Sequence, residues 1–151
     1  MYNENRQGQF NLPYKSEFIG AIMDIEKTKV YYANIKREDI CGCNYCQNLI
    51  DEIKQAYPEV AAYLLSLGVN IERPFEVFFP IEDHDNGYMD YSIVQYLIAG
   101  NSSDFKETRI GDIQIGISDC HPKATYEGEH FIIDAGVFHI KCRYDKYDFN
   151  E

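Results

Sequence analysis

Cys41-Gly42-Cys43-Asn44-Tyr45-Cys46 places three of the chain's five cysteines within six residues. The stretch is also where the residue pattern changes. Before it, Ser16 to Met23 and Thr28 to Ile35 read as two strands, with Phe18, Ile19 and Ile22 in the first and Val30, Tyr31, Tyr32 and Ile35 in the second. Asp24 to Lys27 supplies their connection. After it come two helices. Asn44 is read as the N-cap of the first, from about Tyr45 to Tyr57, with Leu49, Ile50, Ile53 and Tyr57 on one stripe. Pro58 ends that helix, because it lacks an N–H, and suits the first turn of the next. Val60, Ala61, Leu64, Leu65 and Leu67 carry the second helix, and Gly68 stops it where left-handed backbone is cheap.

From Pro74 onward the pattern is β. Phe75 to Ile81 and Tyr88 to Ala99 read as strands joined around Asn86-Gly87, a hairpin signal because both residues tolerate positive φ. Thr108 to Ser118 alternates, with Ile113, Ile115 and Ile117 on one face. Phe131 to Asp134 and Val137 to Tyr144 complete the sheet, Gly136 marking a turn or bulge. The expected architecture is α+β: a mainly antiparallel sheet, open or folded into a sandwich, with an inserted helical hairpin. Residues 1–15 are polar and read as a mobile start, 16–144 as one domain, and 145–151 as a frayed end.

At 151 residues the chain can bury a core without disulfides. Its net charge of −11 shows no basic footprint, so nucleic acid is not an expected partner. The nearest basic cluster, Lys27-Thr28-Lys29, is short. No apolar run is long enough for a membrane span, and the first residues lack the order of a signal peptide. A cytoplasmic location follows as the expectation, with the cysteines reduced. The 13 Tyr and 9 Phe, without Trp, fit half-buried pleated surfaces.

Three thiols in a tight loop suit zinc, which takes four ligands in a tetrahedron. Cys41, Cys43 and Cys46 supply three. Cys120, His121, His139 and Cys142 are candidates for the fourth, with Cys120 and His121 preferred because they share a loop. His139 and Cys142 are three apart and point to opposite faces of a regular strand. Cys43-Asn44-Tyr45-Cys46 is also a CxxC at a helix start, where the macrodipole favours a thiolate, so a thiol-redox role is a second reading. The third treats the cysteines as small apolar packing residues.

Elsewhere the sequence offers less. Glu82, Asp83, Asp85 and Asp90 could gather oxygens for Ca²⁺ or Mg²⁺, but the EF-hand spacing fails and a solvated turn accounts for them. Asp119, His121, Glu127, Glu129, His130, Asp134 and His139 are acid–base types with no nucleophile elbow or HExxH to frame them, and are assigned to the surface. No glycine loop suited to phosphate is present.

CGCNYCQN followed by YPEVAAYLLSLGV resembles a group of small bacterial proteins that share a Cys-x-Cys-x-x-Cys-x-Asn stretch, a YPEV-type helix start and a β-rich C-terminal half. The resemblance implies a single α+β domain and supplies no activity, substrate or cofactor. The leading expectation is a non-enzymatic acidic interaction or accessory protein that meets a protein partner through exposed Tyr-bearing strands or its acidic surface, or a second copy of itself through edge strands. Its rival is a small zinc-binding or thiol-redox protein.

Overall fold

A computed structural model describes residues 22–83 and 85–143. Among these residues three helices are followed by six strands. Helix α1 is Ile25–Ala33, a short 3₁₀ turn follows at Arg37–Asp39, α2 is Asn44–Ala56 and α3 is Pro58–Ser66. The strands are β1 (Glu76–Asp83), β2 (Tyr88–Ala99), β3 (Thr108–Ile110), β4 (Ile113–Ile117), β5 (His130–Gly136) and β6 (Phe138–Lys141). They form one antiparallel sheet in the order β1-β2-β5-β4-β3, with β6 also pairing β2. The fold is α+β, and its described strands belong to one sheet rather than two packed face to face.

The main correction concerns the segment before the cysteines. Thr28 to Ile35, expected as a strand, lies largely within α1, and the expected strand at 16–23 falls mostly outside the described residues. Asp24 caps α1, its Oδ1 accepting from the Lys27 N–H at 3.0 Å. The helix is set by its partner. Strand β1 begins at Glu76, opposite Gln95, so among the described residues the last part of β2 has no strand paired along that edge. Helix α1 fills the gap with side chains. The Tyr32 hydroxyl donates to the Leu97 carbonyl at 2.8 Å and accepts from the Leu97 N–H at 2.9 Å. The Thr28 hydroxyl accepts from the Ala99 N–H at 3.0 Å, and the Asp24 N–H donates to the Ala99 carbonyl at 2.8 Å. Thr28 and Tyr32 are four apart, the spacing that puts both on one helical face. Buried backbone groups require such partners.

The two later helices follow the sequence closely. Leu49, Ile50 and Ile53 are buried on α2, and Val60 and Leu64 on α3, while Leu65 faces solvent. Asn44 is the first residue of α2, with Cys43 in the N-cap place expected for Asn44. Pro58 opens α3. Gly68, at φ +86°, closes it in a Schellman arrangement: the Val69 N–H donates to Leu64 O and the Gly68 N–H to Leu65 O, each at 2.9 Å. These helices pack on the sheet side chains Met89, Tyr91, Val94, Tyr96, Ile98, Ile133 and Phe138 in one apolar cluster. Fully burying each aliphatic or aromatic side chain contributes roughly 1.5–3 kcal/mol before chain entropy is set against it.

Strand β2 matches its expected limits. The segment from Thr108 to Ser118 does not run straight: it breaks at Gly111 (φ +61°) into the hairpin β3–β4. Ile113, Ile115 and Ile117 share one face of β4 as expected; the first two are buried, while Ile117, at the strand's end, is exposed. Strands β5 and β6 lie end to end along β2. At their junction a Cβ on Gly136 would sit 2.1 Å from the Ser92 carbonyl oxygen, so no side chain fits there. Among the described residues, no helix is long and apolar enough to cross a membrane.

Candidate metal centre

The cysteine loop is held by its own neighbours. It leaves the 3₁₀ turn and enters α2, with Cys43 at the N-cap and Cys46 in the first turn. Gln47 ties it back: its Nε2 donates to the Cys41 carbonyl at 2.9 Å, and its Oε1 accepts from Arg37 Nε at 2.8 Å. Arg37 is itself paired with Asp51 at 2.6 Å. Two hydroxyls fasten the helix start to the sheet. Tyr45 donates to Glu82 Oε2 at 3.0 Å, and Tyr91 donates to the Tyr45 carbonyl at 2.6 Å. Asn48, fully buried, docks α2 on the end of β6. Its Nδ2 donates to the Lys141 carbonyl at 3.1 Å and its Oδ1 accepts from the Arg143 N–H at 2.7 Å.

The loop so placed brings the Sγ atoms of Cys41, Cys43 and Cys46 within 4.8 Å of one another. A tetrahedral zinc with Zn–S bonds of about 2.3 Å spaces its sulfurs about 3.8 Å apart, so side-chain adjustment alone closes the difference. All three cysteines are unpaired with one another as disulfides; Cys41 and Cys43 are exposed and Cys46 is half-buried. The Cys43 backbone N–H, donating to the Cys41 sulfur, lowers the Cys41 thiol, helped by the side chains of Cys43 and Cys46. Burial pushes the Cys46 thiol up, and the two neighbouring thiols push it further. A divalent cation between the sulfurs counters both causes, since it stabilises the thiolate form.

Among the described residues no further Cys, His, Asp or Glu joins this group. Cys120 and His121, preferred as additional ligands, lie outside it. The Cys120 carbonyl accepts from Gln95 Nε2 at 3.0 Å, and His121 Nδ1 sits 2.9 Å from the carbonyl of Pro122. His139 is drawn to Asp90 and stacks on the ring of Tyr88 at 4.3 Å between centroids. The Cys142 N–H donates to the Gly87 carbonyl at 2.9 Å.

The other candidate groups stay apart. Asp83 closes its own turn by accepting from Asn86 Nδ2 at 2.7 Å, and this bond holds its carboxyl below the usual carboxylate range. Asp134 accepts from Gln95 Nε2 at 2.8 Å, Glu129 from Asn101 Nδ2 at 3.1 Å, and His130 Nδ1 lies 2.8 Å from the Gly128 carbonyl. These are separate local contacts, and the only cluster of metal-ligating groups among the described residues is the three-thiol one. Sequence reasoning missed Gln47 and Asn48. Both lie in the quoted CGCNYCQN stretch, and the signal available was two carboxamides on consecutive residues of a helix otherwise read by its apolar stripe.

No protein-family model, no curated protein and no solved structure matches this chain.

Proposed function

We propose that this protein binds a soft divalent metal ion of the zinc class through Cys41, Cys43 and Cys46. The observation that carries the reading is the mutual 4.8 Å limit on three sulfurs drawn from one short loop. Thiolate sets favour zinc and similar soft ions over magnesium or calcium. The loop's attachments support the assignment, because Gln47, Tyr45 and Tyr91 fix the backbone around the thiols before any metal arrives.

The rival readings have less support. A CxxC redox pair uses Cys43 and Cys46 alone and gives no part to the Cys41 sulfur gathered with them. Of the strand tyrosines expected to meet a partner, Tyr91 and Tyr96 spend their hydroxyls inside the fold.

Metal analysis of protein purified without chelator or histidine tag tests the proposal. About one zinc per chain is expected. Cys41→Ser, Cys43→Ser and Cys46→Ser should each lower that content, and Cys120→Ser should leave it unchanged. Protein free of metal, with all three thiols freely titratable in the folded state, would overturn it.

A further inference from the structure

A cavity of about 340 Å³ opens beside the thiols, and both Cys41 and Cys46 form part of its wall. The rest of the wall comes from distant parts of the chain: Tyr31 on α1, Pro74, Phe75 and Val77 around the start of β1, and Lys123 and Thr125 from the connection before β5. Three protein thiolates leave one position of a tetrahedral ion to another donor, the arrangement of zinc sites that exchange a ligand. Resting on the metal reading above, we infer that this position faces the cavity and takes a small apolar thiol from solution.

The chemistry of the wall selects that class. Thiolate-bound ions prefer another soft donor. Phe75, Pro74, Val77 and Tyr31 offer apolar contact to the body of the ligand. Charge excludes hard anions: three thiolates on a divalent ion leave a net negative site, and Asp39 and Glu76 add to it. A thiol enters neutral. On binding, its S–H bond would break, its sulfur would replace the water at the fourth position of the ion, and the proton would pass to solvent. Lys123, the only cationic side chain among the described residues of this wall, is then set against the added negative charge.

Cobalt(II) substitution tests the inference, because sulfur-to-cobalt charge transfer counts thiolates and the d–d bands report coordination. Titrating the cobalt protein with phenylmethanethiol should raise the charge-transfer intensity saturably by about one third, as three thiolates become four. Inorganic phosphate should change neither region. Thr125→Phe, on an exposed loop, should weaken thiol binding by about tenfold while the starting spectrum is kept, and Lys123→Ala should weaken it several-fold. A cobalt spectrum unmoved by the thiol would overturn the inference and leave the metal reading standing. Thiol binding unchanged from the parent protein in both variants would place the ligand elsewhere and overturn it too, and so would a saturable response to phosphate. Failure to bind cobalt at all would remove the metal reading itself.

Discussion

Tyr32 and Tyr57 do the same thing at opposite ends of the sheet. Each hydroxyl serves both the N–H and the C=O of one strand residue, Leu97 for Tyr32 and His139 for Tyr57. A phenol is suited to this because one oxygen both donates and accepts, and its ring brings apolar area to the helix–sheet boundary. Tyr32→Phe keeps the ring but leaves two backbone groups of Leu97 without a partner. A loss of about 1–3 kcal/mol is expected, read by urea denaturation at unchanged slope. Tyr57→Phe should cost less, since His139 is exposed and water can replace the hydroxyl. An effect on Tyr32→Phe no larger than that on Tyr57→Phe would contradict this account of α1. The tyrosine content was plain in the sequence. That its hydroxyls face inward was not, because the groups they serve lie 65 and 82 residues away along the chain.

Helices α2 and α3 were legible because their ends are written locally, in Pro58 and Gly68, and their faces in regular apolar spacing. Helix α1 was misread for the converse reason. Val30, Tyr31 and Tyr32 have strand propensities, and Val30 is 60% exposed, so no apolar stripe announces a helix. Its identity is fixed by the edge of β2, a tertiary fact. The two regions meet at Gly68, where an added Cβ would stand 2.7 Å from the Ile25 carbonyl oxygen in the first turn of α1. Gly68→Ala therefore strains the positive φ and pushes α1 from its place. A destabilisation on the order of 2–3 kcal/mol is expected by chemical denaturation. Gly42→Ala, which meets nothing within 4 Å, is the control and should shift stability by no more than about 0.5 kcal/mol. Equal effects at the two positions would refute the packing argument.

The apolar core is built by the sheet and the three described helices, and the thiol loop lies outside it with Cys41 and Cys43 exposed. The protein should therefore remain folded without metal, unlike small zinc modules whose core is the ion. Chelator-treated protein is expected to keep its far-UV circular dichroism and unfold cooperatively. Zinc at about a hundred times its Kd should then raise the thermal midpoint by roughly 5–10 °C. Collapse of secondary structure on chelation would show that the loop organises the core after all. The three thiols were visible in the sequence. Their grip on the sheet was not, because it depends on Glu82, Tyr91 and the chain beyond β6.

Asn48 gives that last dependence a temporal side. Its side chain bonds the backbone at Lys141 and Arg143, separations of 93 and 95 residues. During synthesis the helix that follows the cysteines is made well before its anchor. At typical elongation rates the interval is on the order of five to twenty seconds. For that time Cys41, Cys43 and Cys46 stand at the start of a helix that has not docked, open to whatever ion or oxidant the nascent chain meets first.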